Sequence, residues 1–93
     1  MMTLKELINQ PGCTLLDVRS KEEFQSFSVS GSINIPVNEI PNHLEEIKGF
    51  SRPLAVYCLS GGRSGSAVAY LQAQGLDEIY NAGGVSDVHL MKL

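Results

Sequence analysis

The segment Val56 to Leu71, VYCLSGGRSGSAVAYL, sets a cysteine directly after an apolar run and ahead of a small-residue loop, an arginine and a helical pattern. A cysteine reacts as its thiolate, which forms where amide donors and positive charge favour the anion. After Cys58, the residues Ser60, Gly61, Gly62 and Ser64 offer almost no side-chain volume to pack over a thiol; they offer backbone. Gly61 and Gly62 admit positive φ, so successive amides can turn inward as a nest around the sulfur. Arg63 adds a permanent charge whose fork of donors suits a sulfonate or phosphate oxyanion. Together these residue types describe a nucleophilic thiolate that forms a covalent intermediate, stabilised by backbone amides rather than by a neighbouring base. A purely structural thiol is the competing account, because free cysteine is often buried at the end of an apolar run. Packing alone would require neither the glycines nor the arginine.

The elements that must hold this loop alternate between strand and helix signals. Thr3 to Glu6 has the form of a capping box, with Leu4, Leu7 and Ile8 on the apolar face and Pro11-Gly12 as the stop. Thr14 to Val18 predicts a first strand, followed by a second capping box, Ser20 to Glu23, with Phe24 and Phe27 at core spacing behind it. Ser32 to Pro36 predicts a strand. The segment from Asn38 carries Ile40, Leu44 and Ile47 at helical spacing up to Gly49, with Pro41 in its first turn. Leu54 to Tyr57 predicts a strand, Arg63 to Gln74 a helix ended by Gly75, Glu78 to Tyr80 a short strand, and the tail from Val85 a final helical turn. This order implies an α/β domain with a mostly parallel sheet, whose ligands bind beyond the carboxyl ends of the strands. Cys58 stands at such an end, where a helix start brings unpaired amides and the positive end of its dipole.

Composition narrows the function classes. A chain of 93 residues makes one domain, spanning 1-93, and the apolar share of 43% with 18% charged residues is that of a soluble globular protein. The net charge of -3 argues against a nucleic acid or an anionic membrane as partner. Cys13 and Cys58 are too few for a disulfide framework and have no histidine or cysteine at metal-ligand spacing, so no metal or other cofactor is expected. With no apolar run or basic leader ahead of the domain, the expected location is the cytoplasm as the chain stands, or the periplasm had a signal peptide been removed.

The chain resembles the single-domain rhodaneses, the thiosulfate sulfurtransferase-like family, over nearly its whole length. LLDVRSKEEF from Leu15, GSINIP from Gly31, CLSGGRS from Cys58 and NAGG from Asn81 match the family's blocks in order and spacing, and the closing NAGGVSDV is most similar to the small phage-shock-type members, which are exported. The resemblance implies an α/β single rhodanese-like domain, its mostly parallel central sheet of about five short strands carrying helices on both faces. It implies that Cys58 takes a sulfane sulfur from a donor such as thiosulfate, becomes a persulfide, and passes the sulfur to cyanide or a thiol, with a protein sulfur donor or acceptor as a further class of partner. Arg63 would hold the donor's sulfonate, the amides of Leu59, Ser60, Gly61, Gly62 and Arg63 would cradle the persulfide, and Asp17 and Arg19 would brace the loop by hydrogen bonds. Two departures, Ser28 in place of the family's frequent histidine and Val88 in place of an aromatic residue, bear on substrate contacts and tail packing.

Two other functions compete. A cysteine phosphatase also uses a thiolate in an amide cradle closed by an arginine, but its signature places one more residue between them than the four found between Cys58 and Arg63. A non-catalytic sulfur-carrier or binding module of the same fold is the other, against which an intact Cys58 and Arg63 speak. The remaining candidates have simpler accounts: Cys13 as a small buried hydrophobe, His43 and His89 as surface or packing residues, and Arg19 as an ion-pair partner for Glu22 or Glu23.

Overall fold

In the computed structural model, which describes residues 1–93, both capping boxes form as the residue types dictate. Thr3 Oγ1 accepts the Glu6 N–H and the Glu6 carboxylate accepts the Thr3 N–H, starting α1 (Leu4–Ile8). Ser20 and Glu23 repeat the exchange at α2 (Lys21–Ser26). Four strands, β1 (Thr14–Asp17), β2 (Ile33–Asn34), β3 (Leu54–Cys58) and β4 (Ile79–Gly84), form one sheet in the order β2-β1-β3-β4, every pair parallel. These are the four strands that the sequence pattern marks, one short of the about five that the resemblance implies. The chain moves from β1 to β2 on one side and returns past β1 to β3 on the other, so the strand order reverses between β1 and β3. At such a switch point the carboxyl ends leave a crevice.

Side chains alternate across the sheet and build a core on each face. Leu16, Leu54, Val56 and Cys58 pack with Ile40 and Ile47 and with Ala67, Val68 and Leu71 of α4 (Gly62–Ala73). Leu15, Ala55 and Tyr57 pack with Ile8 of α1 and with Val85 and Val88 of α5 (Val85–Met91). Every residue of β3 is buried, as expected of a central parallel strand covered on both sides. The helices thus lie on both faces.

The elements differ from the sequence expectation in three places. From Val37 to His43 the chain is a 3-10 helix, and only Leu44–Lys48, α3, is α-helical. Pro41 lacks the N–H that an α-helical ladder requires, so regular α-helix begins after it. β4 runs on through Asn81 to Gly84, residues of low strand propensity that are held by the ladder to β3, with a bulge where the register shifts beside Val56 and Tyr57. Phe24 and Phe27 do not enter the core: α2 buries no residue, and Phe27 is 46% exposed, its ring edge-on to His89 at 5.3 Å.

Candidate active site

Cys58 is the last residue of β3, and strand alternation directs its side chain toward the α4 face, leaving the residue 1% exposed. Beyond it the chain turns through Leu59 and Ser60 to Gly61, whose φ of +102° lies in the region that favours glycine. A Cβ there would stand 3.5 Å from the Gly83 Cα, so the loop also lies directly against β4. Gly62 does not share this role: its φ is not positive, and it is already the first residue of α4.

Gly61 is the N-cap of α4 and has no side chain with which to accept the amides of the first turn. The cysteine does so instead. Gly61 N–H donates to Sγ at 3.0 Å and Ser64 N–H, the third helical amide, at 3.4 Å, while Ser64 Oγ lies 3.4 Å from the sulfur. Burial raises the thiol pKa, but these bonds outweigh it, led by the Ser64 hydroxyl and amide with help from the Ser60 and Gly61 amides, and the result is lowered to about 7. Cys13, half-buried, shows the opposite: burial raises its pKa, with Lys92 opposing. Only one of the two thiols sits among donors that favour its anion.

Two residues absent from the sequence-based site set complete the arrangement. Ser64 is one. Asn81 is the other: its Oδ1 accepts the Ser64 hydroxyl at 2.7 Å and the Gly83 N–H at 3.0 Å, while its Nδ2 donates to the Gly61 carbonyl at 3.1 Å. One amide side chain thereby ties the loop to the bulged strand and orients the hydroxyl beside the sulfur. The available signals were the position of Ser64 where an N-cap acceptor bond falls and the presence of Asn81 in the NAGG block. Next to Gly83 on the same strand, Gly84 approaches the loop so closely that a Cβ would lie 2.5 Å from the Leu59 carbonyl oxygen. Leu59 itself is 59% exposed.

The charged residues pair differently from expectation. Arg63 meets Glu23 through two bonds, Nη1 to Oε1 at 2.7 Å and Nη2 to Oε2 at 3.1 Å. The Arg63 bonds, together with the Ser20 N–H, bring the Glu23 carboxyl down to about 2. Arg19 pairs with neither Glu22 nor Glu23 but with Asp17, both of them buried, through its Nε and through Nη2 at 2.7 Å. Nη2 also donates to the Phe27 carbonyl, and the guanidinium lies 5.9 Å from the Tyr57 ring centre. Neither Asp17 nor Arg19 hydrogen-bonds to residues 59–63. Their brace runs from the tip of β1 to the end of α2, where Asn34 Nδ2 adds bonds to both of their carbonyls.

Comparison with known proteins places these features in a family context. The model of the rhodanese-like domain matches residues 2–90. The chain is 34% identical to the thiosulfate sulfurtransferase PspE of Escherichia coli K12, over 84% of this chain and 76% of that one. It is 32% identical to the thiosulfate sulfurtransferase GlpE of Pseudomonas syringae, over 85% and 74%. Among solved structures, a rhodanese with anions from E. coli superposes with a TM-score of 0.70 at 34% identity, covering 81% of this chain and 89% of that one. The human single-domain sulfurtransferase TSTD1 superposes with a TM-score of 0.68 at 26% identity, covering 82% and 80%. No helix is long and apolar enough to cross a membrane.

Proposed function

The chain belongs to the rhodanese-like family, and from that premise we propose that it is a thiosulfate sulfurtransferase working through a persulfide on Cys58. The observation that carries this reading is the pair of amides, Gly61 and Ser64, converging on the Cys58 sulfur at the start of α4. The Cys58 thiolate attacks the outer sulfur of thiosulfate, the sulfur–sulfur bond of the donor breaks, and sulfite leaves with the electron pair. Cys58 then carries one extra sulfur with the negative charge on it. Cyanide or a thiolate attacks that terminal sulfur, departs as thiocyanate or a persulfide, and returns the electron pair to Sγ. The amides stabilise charge at both stages without supplying a proton. Arg63 holds the sulfonate end of the donor.

The burial of Cys58 bears on the choice of reaction. A nucleophile only 1% exposed is reached more readily by the single outer sulfur of a slender anion than by a phosphorus atom wrapped in three oxygens. The four-residue spacing from Cys58 to Arg63 agrees with that preference. Intact-protein mass spectrometry after incubation with thiosulfate tests the reading. Wild type gains the mass of one sulfur atom and loses it on adding cyanide, and Cys58→Ala gains nothing. A persulfide that forms but is not released to cyanide or small thiols would make the protein a sulfur carrier. Robust hydrolysis of an aryl phosphate, without persulfide, would make the reaction phosphoryl transfer.

A further inference from the structure

Glu23 is engaged from two sides. Its Oε1 accepts the Ser20 N–H at 3.0 Å and Arg63 Nη1 at 2.7 Å, and its Oε2 accepts Arg63 Nη2 at 3.1 Å. The two-bond face that Arg63 turns to this carboxylate is the face it would turn to a sulfonate or sulfate. The pair is open to solvent, with 39% of the Arg63 side chain and 32% of the Glu23 side chain exposed, so an anion from solution can contest it without disturbing the core. Asp17, the nearby second carboxylate, is bound to Arg19 and makes no bond to Arg63.

We propose that Glu23 is a specificity-determining residue: a built-in carboxylate that competes with the anionic end of the sulfur donor for Arg63 and re-pairs with Arg63 after transfer, displacing the anionic product. This rests on the sulfurtransferase reading, with Arg63 as the anion holder. Because the capping box fixes Glu23 through the Ser20 amide, the carboxylate stays beside the site when a donor arrives. Its charge then opposes doubly charged donors more than singly charged ones, which weakens binding and speeds release of sulfite. Arg63 is never left bare, and the thiolate is shielded from a strongly bound spectator anion.

Glu23→Gln is the test, since glutamine keeps the capping-box acceptor and removes the charge. Two readouts on the full chain are compared with wild type: KM and kcat for thiosulfate in cyanide-dependent thiocyanate formation, and the protection that inorganic sulfate gives Cys58 against iodoacetamide. Glu23→Gln should lower KM and tighten sulfate protection by roughly fivefold, the scale of an exposed ion pair. It should also lower kcat and strengthen inhibition by sulfite, and the gain in sulfate protection should vanish when Arg63→Gln is added. Should the glutamine variant fail to fold, Glu23→Asp keeps the charge with a shorter reach and should shift KM in the same direction, by less. Unchanged or weaker sulfate protection in a folded variant, while wild type still forms the persulfide, overturns the competition and leaves the sulfurtransferase reading standing. Tighter sulfate protection with no persulfide in either protein supports the competition and removes the sulfurtransferase reading.

Discussion

Ser64→Ala isolates the hydroxyl from the amides that hold the Cys58 thiolate. The Ser64 N–H and the Gly61 N–H remain, while the Oγ that lies 3.4 Å from Sγ is lost. A hydrogen bond to a charged acceptor is worth about 1.5 kcal/mol at the weak end of its range, and about 1.4 kcal/mol corresponds to one pH unit of titration. The single hydroxyl proton goes mainly to Asn81 Oδ1 at 2.7 Å and reaches Sγ, at 3.4 Å, only as a shared three-centre donor, which places this hydroxyl at that weak end. The midpoint of Cys58 alkylation, near 7 in wild type, should therefore move up by about one pH unit. Nucleophilicity rises as the thiolate becomes more basic, about threefold for such a move, so the plateau rate at high pH should increase while the rate at pH 6 falls about threefold. Iodoacetamide labelling from pH 5 to 10, followed by peptide mass spectrometry, reports both cysteines in one experiment. Cys13 should titrate well above Cys58 throughout. A Cys58 midpoint no lower than that of Cys13, or a Ser64→Ala midpoint identical to wild type with the fold intact, would refute the account of the thiolate.

Two other substitutions separate backbone from side-chain contributions. Gly84→Ala drives a Cβ into the Leu59 carbonyl, a backbone atom that can yield only by moving the loop, so sulfur transfer should fall more than tenfold and the melting temperature should drop by several degrees; Gly62→Ala meets nothing within 4 Å and lacks a positive φ, so its rate and melting temperature should stay near wild type. Asp17→Asn leaves the buried Arg19 charge short of its counter-ion and should cost about 3 kcal/mol of stability in urea titrations.

The fold was legible wherever local chemistry decided it. The capping boxes at Thr3 and Ser20 carry both partners of a reciprocal bond within four residues, and the apolar run of β3 requires cover on both faces. The amide contacts to the Cys58 sulfur were legible for the same reason, because the loop that makes them is continuous with it in sequence. What the sequence concealed was long-range pairing. The charge of Arg63 is met forty residues earlier by Glu23, which the sequence showed only as a capping residue and as a candidate partner for Arg19. Asn81 acts through a bulge that exists only once β4 has aligned with β3. Arg19 had plausible acidic neighbours on α2, yet it bonds to Asp17, two residues away, because both lie at the buried tip of β1. Pattern at short range predicts elements; which side chains meet depends on the order β2-β1-β3-β4.

The sulfur that caps α4 makes the ionisation state of Cys58 part of the protein's mechanical integrity. A cap is worth about 1 kcal/mol, and here it belongs to a helix of 12 residues that supplies one side of the core. Because the folded thiol titrates near 7 and the usual value is 9.0, the stability it contributes is complete above about 9 and is lost as pH falls through about 7. Alkylation takes that contribution away at any pH. On the proposed reading, a copy whose Cys58 has been blocked by an electrophile loses sulfur transfer and the helix-capping thiolate together, and the loss of a chemical function becomes a longer residence in the unfolded state. Proteases that sense unfolding would clear poisoned molecules ahead of working ones, with no receptor needed to recognise the lesion.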